Sequence, residues 1–345
     1  MWLQLFLSLA IPLAALALSP AGASAARIFP AAPGTNTLLA ARDAVRSWRA
    51  AGHAREPAII QLAPGQYSLT EPLVLTVEDG NATWETRDAE ITSITGGQRI
   101  SNFVAKPDGL WHAHTRLRFE QLYVNGHRAV RAHLPVVGFF KIESVRQEDL
   151  PDGKARLTIK LPAGERAALG TNASAFRGAQ VLVFHKWDTS RYQIEAVNPA
   201  AGAFTVEGER MEPWNPWNSD SRFIFDNCDV ARPMVPGTWF LDPQGGLSYC
   251  PRPGERIGQA EFVAPVVEQF LVIQGASHLH FHGLHFHFAG YQLPPTGCPP
   301  TQAAASIAAS IQIDDGRDVT FDRCEIAHTG NYGIWFRRGC QDCRI

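Results

Sequence analysis

Apolar residues in the C-terminal part of the chain alternate with polar ones in short runs broken by Gly, Asp or Asn, and the runs repeat. LVIQGASHLHFHGLHF (Leu271 to Phe286), IQIDDGRDVTFDRCEI (Ile311 to Ile326) and IWFRRGCQDCRI (Ile334 to Ile345) are three copies of one pattern. An offset of 40 residues places Ile273 on Ile313, Leu279 on Val319, Phe281 on Phe321 and Phe286 on Ile326. A further offset of 23 places Ile311 on Ile334, Ile313 on Phe336 and Gly316 on Gly339. A period of this size is the signature of a β-solenoid, whose single turns bury nothing until neighbours stack on them. Strand alternation then points Ile311, Ile313, Ile334 and Phe336 inward, and Gln312, Asp314, Trp335 and Arg337 outward.

Upstream, Thr35 to Ala51 carries Leu38, Leu39, Ala44, Val45 and Trp48 at helical spacing, which predicts one amphipathic helix. Ile59 to Leu62 and Leu73 to Leu75 read as strands, with a turn at Pro64-Gly65. A helix in this position suits the cap of a solenoid end, whose backbone groups must be covered. From Gly96 to Ala264 the period disappears. Segments such as QLYVNG, ARLTIKL, QVLVFH, AFTVEG, RFIFDN and GLSYC predict an inserted antiparallel β-domain, a sandwich or barrel. Trp187, Trp214, Trp217 and Trp239 lie within it as core residues or sugar platforms, and the WNPWN segment from Trp214 to Asn218 looks the most exposed. The expected divisions are residues 26–95 for the cap and first strands, 96–264 for the insertion and 265–345 for the opening turns of an all-β solenoid. A loop from His287 to Ala309, which includes Tyr291, interrupts those turns and suits the wall of a binding groove.

Composition places limits on these readings. The balance of 45% hydrophobic and 19% charged residues is that of a globular protein, and a formal charge of −2 argues against nucleic acid as a partner. Met1 to Ala25 reads as a signal peptide, residues 1–25, with an apolar run from Leu3 to Leu18 and a small-residue cleavage site. A membrane anchor needs about 20 apolar residues, more than Pro12 and Pro20 leave. Export to a secreted or periplasmic location is therefore expected, with no membrane association after cleavage. It permits disulfides among the six cysteines. Cys340-x-x-Cys343 lacks the second pair of a zinc site and is expected to be a disulfide or buried thiols. Asn81-Ala82-Thr83 and Asn172-Ala173-Ser174 are formal glycosylation sequons.

Several segments together resemble the secreted right-handed parallel β-helix proteins that include glycoside hydrolases of families 141 and 120. They are Ala41 to Val45, PGQYSLTEPLVLT, Gly96-Gly97, QLYVNGHRAVRA, GTWFLDPQGGLSYCPRPGE and HTGNYGIWFRRGCQDCRI. The resemblance implies a right-handed parallel β-helix, a polysaccharide or oligosaccharide substrate and hydrolysis of a glycosidic bond. Family members carry more turns after the equivalent of Ile345, so a fragment or truncated product is expected, with part of the catalytic groove beyond it. Polysaccharide lyase or polygalacturonase-like chemistry, in which calcium would enter as a cofactor, and non-catalytic glycan binding are the alternatives. No cofactor is expected for hydrolysis itself.

Stacking in register makes columns on the outer face. Gln274, Asp314 and Arg337 form one, and Val272, Gln312 and Trp335 its neighbour. Carboxylate, guanidinium, amide and aromatic plate together suit a sugar groove. Glycosidases use two carboxylates, about 5–5.5 Å or about 6.5–9.5 Å apart. Asp314 beside Arg337 suits a nucleophile or base, and Glu325 is the local candidate for its partner. His328 could carry a proton or bind a hydroxyl; Gln312, Trp335, Arg337, Asn331 and Tyr291 are the expected substrate contacts. For Asp314 a salt bridge on a solvated face, and for Asn331 a turn role, are the bland readings. His280-x-His282 has a spacing zinc can use, but no third ligand is evident, so no metal is expected and surface histidines are the plain reading.

Overall fold

The computed structural model describes residues 25–54, 56–87, 91–186, 188–229, 234–298 and 307–345. The expected export signal (but for Ala25), Trp187 and residues 299–306 of the long loop lie outside them. The described residues are mostly β, with one α-helix among them and sheets that are parallel and mixed. Among the described residues, no helix is long and apolar enough to cross a membrane.

Three sheets are wholly parallel, and the chain visits them in rotation. The first holds Arg27–Ala31, Ala58–Leu62, Ala82–Thr86, Ser277–His282 and Arg317–Asp322. The second holds Gly34–Thr35, Gly65–Ser68, Thr92–Thr95, Leu284–His287 and Glu325–Ala327. The third holds Leu73–Thr76, Leu271–Gln274, Ile311–Asp314 and Ile334–Phe336. The register pairs Leu279 with Val319, Phe281 with Phe321, Phe286 with Ile326 and Ile313 with Phe336, as the repeat aligns them.

Inward side chains from all three sheets form one core. On the first sheet Ile60, Trp84, Phe281 and Phe321 sit in register, each nearly fully buried. Phe281 stacks on Phe321 at 4.7 Å between ring centres. A large apolar side chain fully buried in such a ladder stabilises by about 2–3 kcal/mol, which is why the repeat keeps bulk at this point. Three strands of the first sheet carry a left-handed residue just before or just inside their start, Asn81, His278 and Asp318 on successive turns, with φ of 52°, 54° and 52°. Asn, Asp and His tolerate that conformation better than β-branched residues, so this left-handed position repeats as faithfully as the core.

The helix is shorter than its sequence span suggests, Thr37–Trp48, followed by a widened π-helical turn at Arg49–His53. It buries Leu38, Ala41, Val45 and Trp48 on the parallel-sheet core. Arg46 fastens it there, with Nε and Nη2 donating to the buried Asp79 carboxylate at 2.8 and 2.5 Å. Gly65 is not in a turn as expected: it opens the strand Gly65–Ser68. That strand has a single large apolar residue, the buried Tyr67, too few for an alternation signal.

Between Thr95 and Leu271 the chain leaves the parallel sheets, yet Leu73 and Leu271 pair directly across the gap. The excursion builds two eight-stranded sheets. One is antiparallel throughout; in the other Val130 and Arg131 run parallel to Thr238 and Trp239, a departure from the expected all-antiparallel insertion. Trp217 and Trp239 are core residues, while Trp214 is 47% exposed.

None of the six cysteines is joined in a disulfide among the described residues, which corrects the expected disulfides. Cys340 and Cys343 donate instead to the carbonyls of Ile313 at 3.4 Å and Gly316 at 3.6 Å, each on the preceding turn.

Candidate active site

The outer face of the third sheet carries the residues expected to bind substrate. Gln312 and Trp335 are paired in register, and the Arg337 guanidinium carbon lies 5.4 Å from the Trp335 ring centre. Asp314, however, is buried rather than facing solvent, at 6% exposure. Arg337 covers it with a two-pronged pair, Nε to Oδ1 at 2.9 Å and Nη2 to Oδ2 at 3.1 Å. Gln312 Nε2 adds a long contact of 3.4 Å to Oδ2. Both carboxylate oxygens are thus occupied, and the group fastens the last strand to the one before it.

Removing the two partners should have unequal effects. Arg337→Ala strands a buried carboxylate and should cost about 3 kcal/mol. Asp314→Asn leaves a guanidinium that is 35% exposed and hydrates readily, so the loss should be nearer 1 kcal/mol. Urea unfolding midpoints compare the two; equal losses, or a larger loss for Asp314→Asn, would contradict the burial argument.

Glu325 lies elsewhere, on the outer face of the second sheet, directly opposite His285. Its Oε2 is 3.1 Å from His285 Nδ1 and its Oε1 3.2 Å from His287 Nε2. His328, just after this strand, sits in a left-handed conformation with φ 57°. Its Nε2 is 2.8 Å from the Gly126 carbonyl, on the hairpin that the excursion lays over the second sheet. Tyr123 of that hairpin and Phe288 each lie 4.8 Å from the His328 ring. Burial lowers the proton affinities of His287 and His328 below the usual imidazole value, so both favour the neutral form.

Asn331 and Tyr291 meet at a third place. They line a cavity of about 490 Å³ together with Glu209, Glu268, Gln292 and Cys298. Gly330 permits this approach, since a Cβ there would sit 2.5 Å from the Tyr291 backbone nitrogen. Gly208 plays the same part beside Glu209: an added Cβ would lie 2.6 Å from the Thr296 carbonyl. Gln121 fixes Tyr291 by accepting from its backbone N–H at 2.7 Å and donating to its carbonyl at 2.8 Å. Burial, then the neighbouring Cys298 thiol, raises the Tyr291 hydroxyl above the usual phenol range. Glu268 Oε1 accepts from the Gln292 backbone N–H at 2.9 Å. Asn331 Nδ2 donates to the Ala308 carbonyl at 2.9 Å, so its side chain also shapes the loop.

The sequence-predicted residues therefore fall into three groups: Asp314, Gln312, Trp335 and Arg337 on the third sheet; Glu325 and His328 on the second; Asn331 and Tyr291 in the cavity. Turn residues 328–331 join the last two groups. Glu209, Glu268, Gln292, His285 and His287 were not expected as site residues. The expected zinc-like spacing of His280 and His282 is not a shared site: His280 Nδ1 pairs with Thr320 Oγ1 at 2.8 Å and His282 Nδ1 with Asp322 Oδ2 at 2.7 Å.

No family model and no curated protein matches this chain. A solved structure titled "Glycoside hydrolase" matches it with a TM-score of 0.69 and 21% sequence identity. The match covers 90% of this chain and 63% of that one, so the two share a fold over nearly all of the present sequence. The chain spans less than two thirds of that structure's length.

Proposed function

We propose that this chain belongs to an exported carbohydrate-active protein, a glycoside hydrolase on plant or algal polysaccharide, and that its three parallel sheets wind as a right-handed β-helix. The observation that carries the reading is the cavity between the parallel sheets and the excursion. Two carboxylates, Glu209 and Glu268, face it beside a tyrosine and the amides of Gln292 and Asn331. Sugar rings need an apolar face and several hydroxyl partners, and cleavage of the bond between them needs a proton donor and a base or nucleophile. Likeness in fold to the solved glycoside hydrolase supports the same class.

In this reading Glu268, held by the Gln292 backbone, is the oriented base or nucleophile, and Glu209 from the excursion donates the proton to the leaving oxygen. Among the described residues the Glu209 side chain is in no ion pair, unlike Asp314. Gln312 and Trp335 would extend the binding face along the third sheet. Asp314 and Arg337 act as a clasp rather than as catalyst, which moves the expected reaction centre from the outer face of the third sheet to the cavity.

Incubation with a panel of neutral and uronic polysaccharides tests the class. Hydrolysis predicts new reducing ends without ultraviolet-absorbing unsaturated products. Unsaturated ends would assign lyase chemistry, and binding without cleavage would assign a glycan-binding role.

A further inference from the structure

We propose that His285, His287 and Glu325 form a zinc site on the outer face of the second sheet. It stands apart from the sugar-cleavage reading and needs neither Glu209 nor Glu268. His285 and His287 alternate along one strand and so emerge on the same face, and Glu325 is opposite His285 on the next turn. One ligand atom from each lies within 4.8 Å of the others. The two nitrogen–oxygen separations are 3.1 and 3.2 Å. Ligands held about 2.0–2.1 Å from a tetrahedral zinc are separated by about 3.3 Å, close to both nitrogen–oxygen separations, and the ligand atoms, all within 4.8 Å of one another, would draw together around the ion. Two imidazoles and one carboxylate leave a fourth position open, the composition of catalytic rather than structural zinc sites.

On the first sheet His278 Nδ1 pairs with Asp318 Oδ2 at 2.7 Å and His282 Nδ1 with Asp322 Oδ2 at 2.7 Å, while His280, whose Nδ1 is taken by Thr320 Oγ1, reaches Asp318 only at 3.8 Å. On the second sheet two imidazoles converge on one carboxylate. His287 Nε2 is buried and, although 3.2 Å from Glu325, is out of line for a hydrogen bond. Beside it, His328 donates from Nε2 to the Gly126 carbonyl, which leaves a buried Nδ1 without a hydrogen-bond partner. The His287 and His328 ring centres are 5.8 Å apart. Two neighbouring imidazoles thus each hold a buried nitrogen without an aligned hydrogen bond, and a borderline-soft cation is a partner that suits their chemistry.

The full chain, stripped with a chelator and free of any histidine tag, is titrated with zinc chloride by calorimetry. Cobalt(II) serves as a second probe through its tetrahedral visible absorption. One zinc per chain is expected. His287→Ala and Glu325→Gln should each weaken it by about 100-fold or more, since even outer-shell changes cost 10- to 100-fold. His280→Ala/His282→Ala should leave it unchanged. Glu325 is 53% exposed, so its substitution tests the site even if His287→Ala fails to fold. Absence of zinc binding by the unaltered chain, affinity unmoved by Glu325→Gln, or binding lost in His280→Ala/His282→Ala would overturn the proposal.

Discussion

Arg131→Ala should destabilise the protein by about 3 kcal/mol, the cost of breaking a buried ion network and leaving its two carboxylates to share one guanidinium. The Arg131 side chain is 11% exposed and reaches Asp226 at 3.0 Å, Gln180 at 3.3 Å and Glu120 at 3.4 Å. Arg191 contacts the same two carboxylates at 2.8 and 3.2 Å. Glu120 in turn accepts from the Leu293 backbone at 3.1 Å. One guanidinium thus helps to join both sheets of the excursion to the loop that carries Tyr291. Without it, Arg191 alone faces Glu120 and Asp226. Urea unfolding followed by circular dichroism should show the midpoint fall. A loss below about 1 kcal/mol would mean that the network behaves like a surface one.

Glu268→Gln and Glu209→Gln should each lower kcat on a cleaved glycan by about 100-fold or more, the contribution of a positioned acid or base. KM should change little, because an amide still hydrogen-bonds a sugar hydroxyl. Asp314→Asn, with its partner Arg337 not reaching the cavity residues, should keep most of the activity of a folded chain. The reverse ranking, with Asp314→Asn inactive and both Gln variants active, would return the reaction centre to the third sheet's outer face.

The parallel sheets are legible in the sequence because two periods coincide there. Alternation marks the faces, and the offset of Ile273 to Ile313 and Phe281 to Phe321 marks the register. Gly65–Ser68 was not legible, since one buried tyrosine carries no period. The His285–Glu325 pairing was within reach: placing Phe286 on Ile326 places His285 on Glu325. What hid it was the more conspicuous His280-x-His282, whose ligand potential is spent on neighbours one turn away. The burial of Asp314 could not be read from alternation, which assigns a face but not what an arginine on the next turn lays across it. Glu209 and Glu268 were invisible for another reason. They are 59 residues apart and line the same cavity, beside which Gly208 and Gly330 let backbone segments approach closely.

The most direct test of where sugar is held is a crystal structure of the Glu268→Gln variant with a bound oligosaccharide. A sugar ring in the cavity, against Tyr291 and within hydrogen-bond distance of Glu209 and Asn331, is the predicted result. A ring stacked on Trp335 with the cavity unfilled would contradict it.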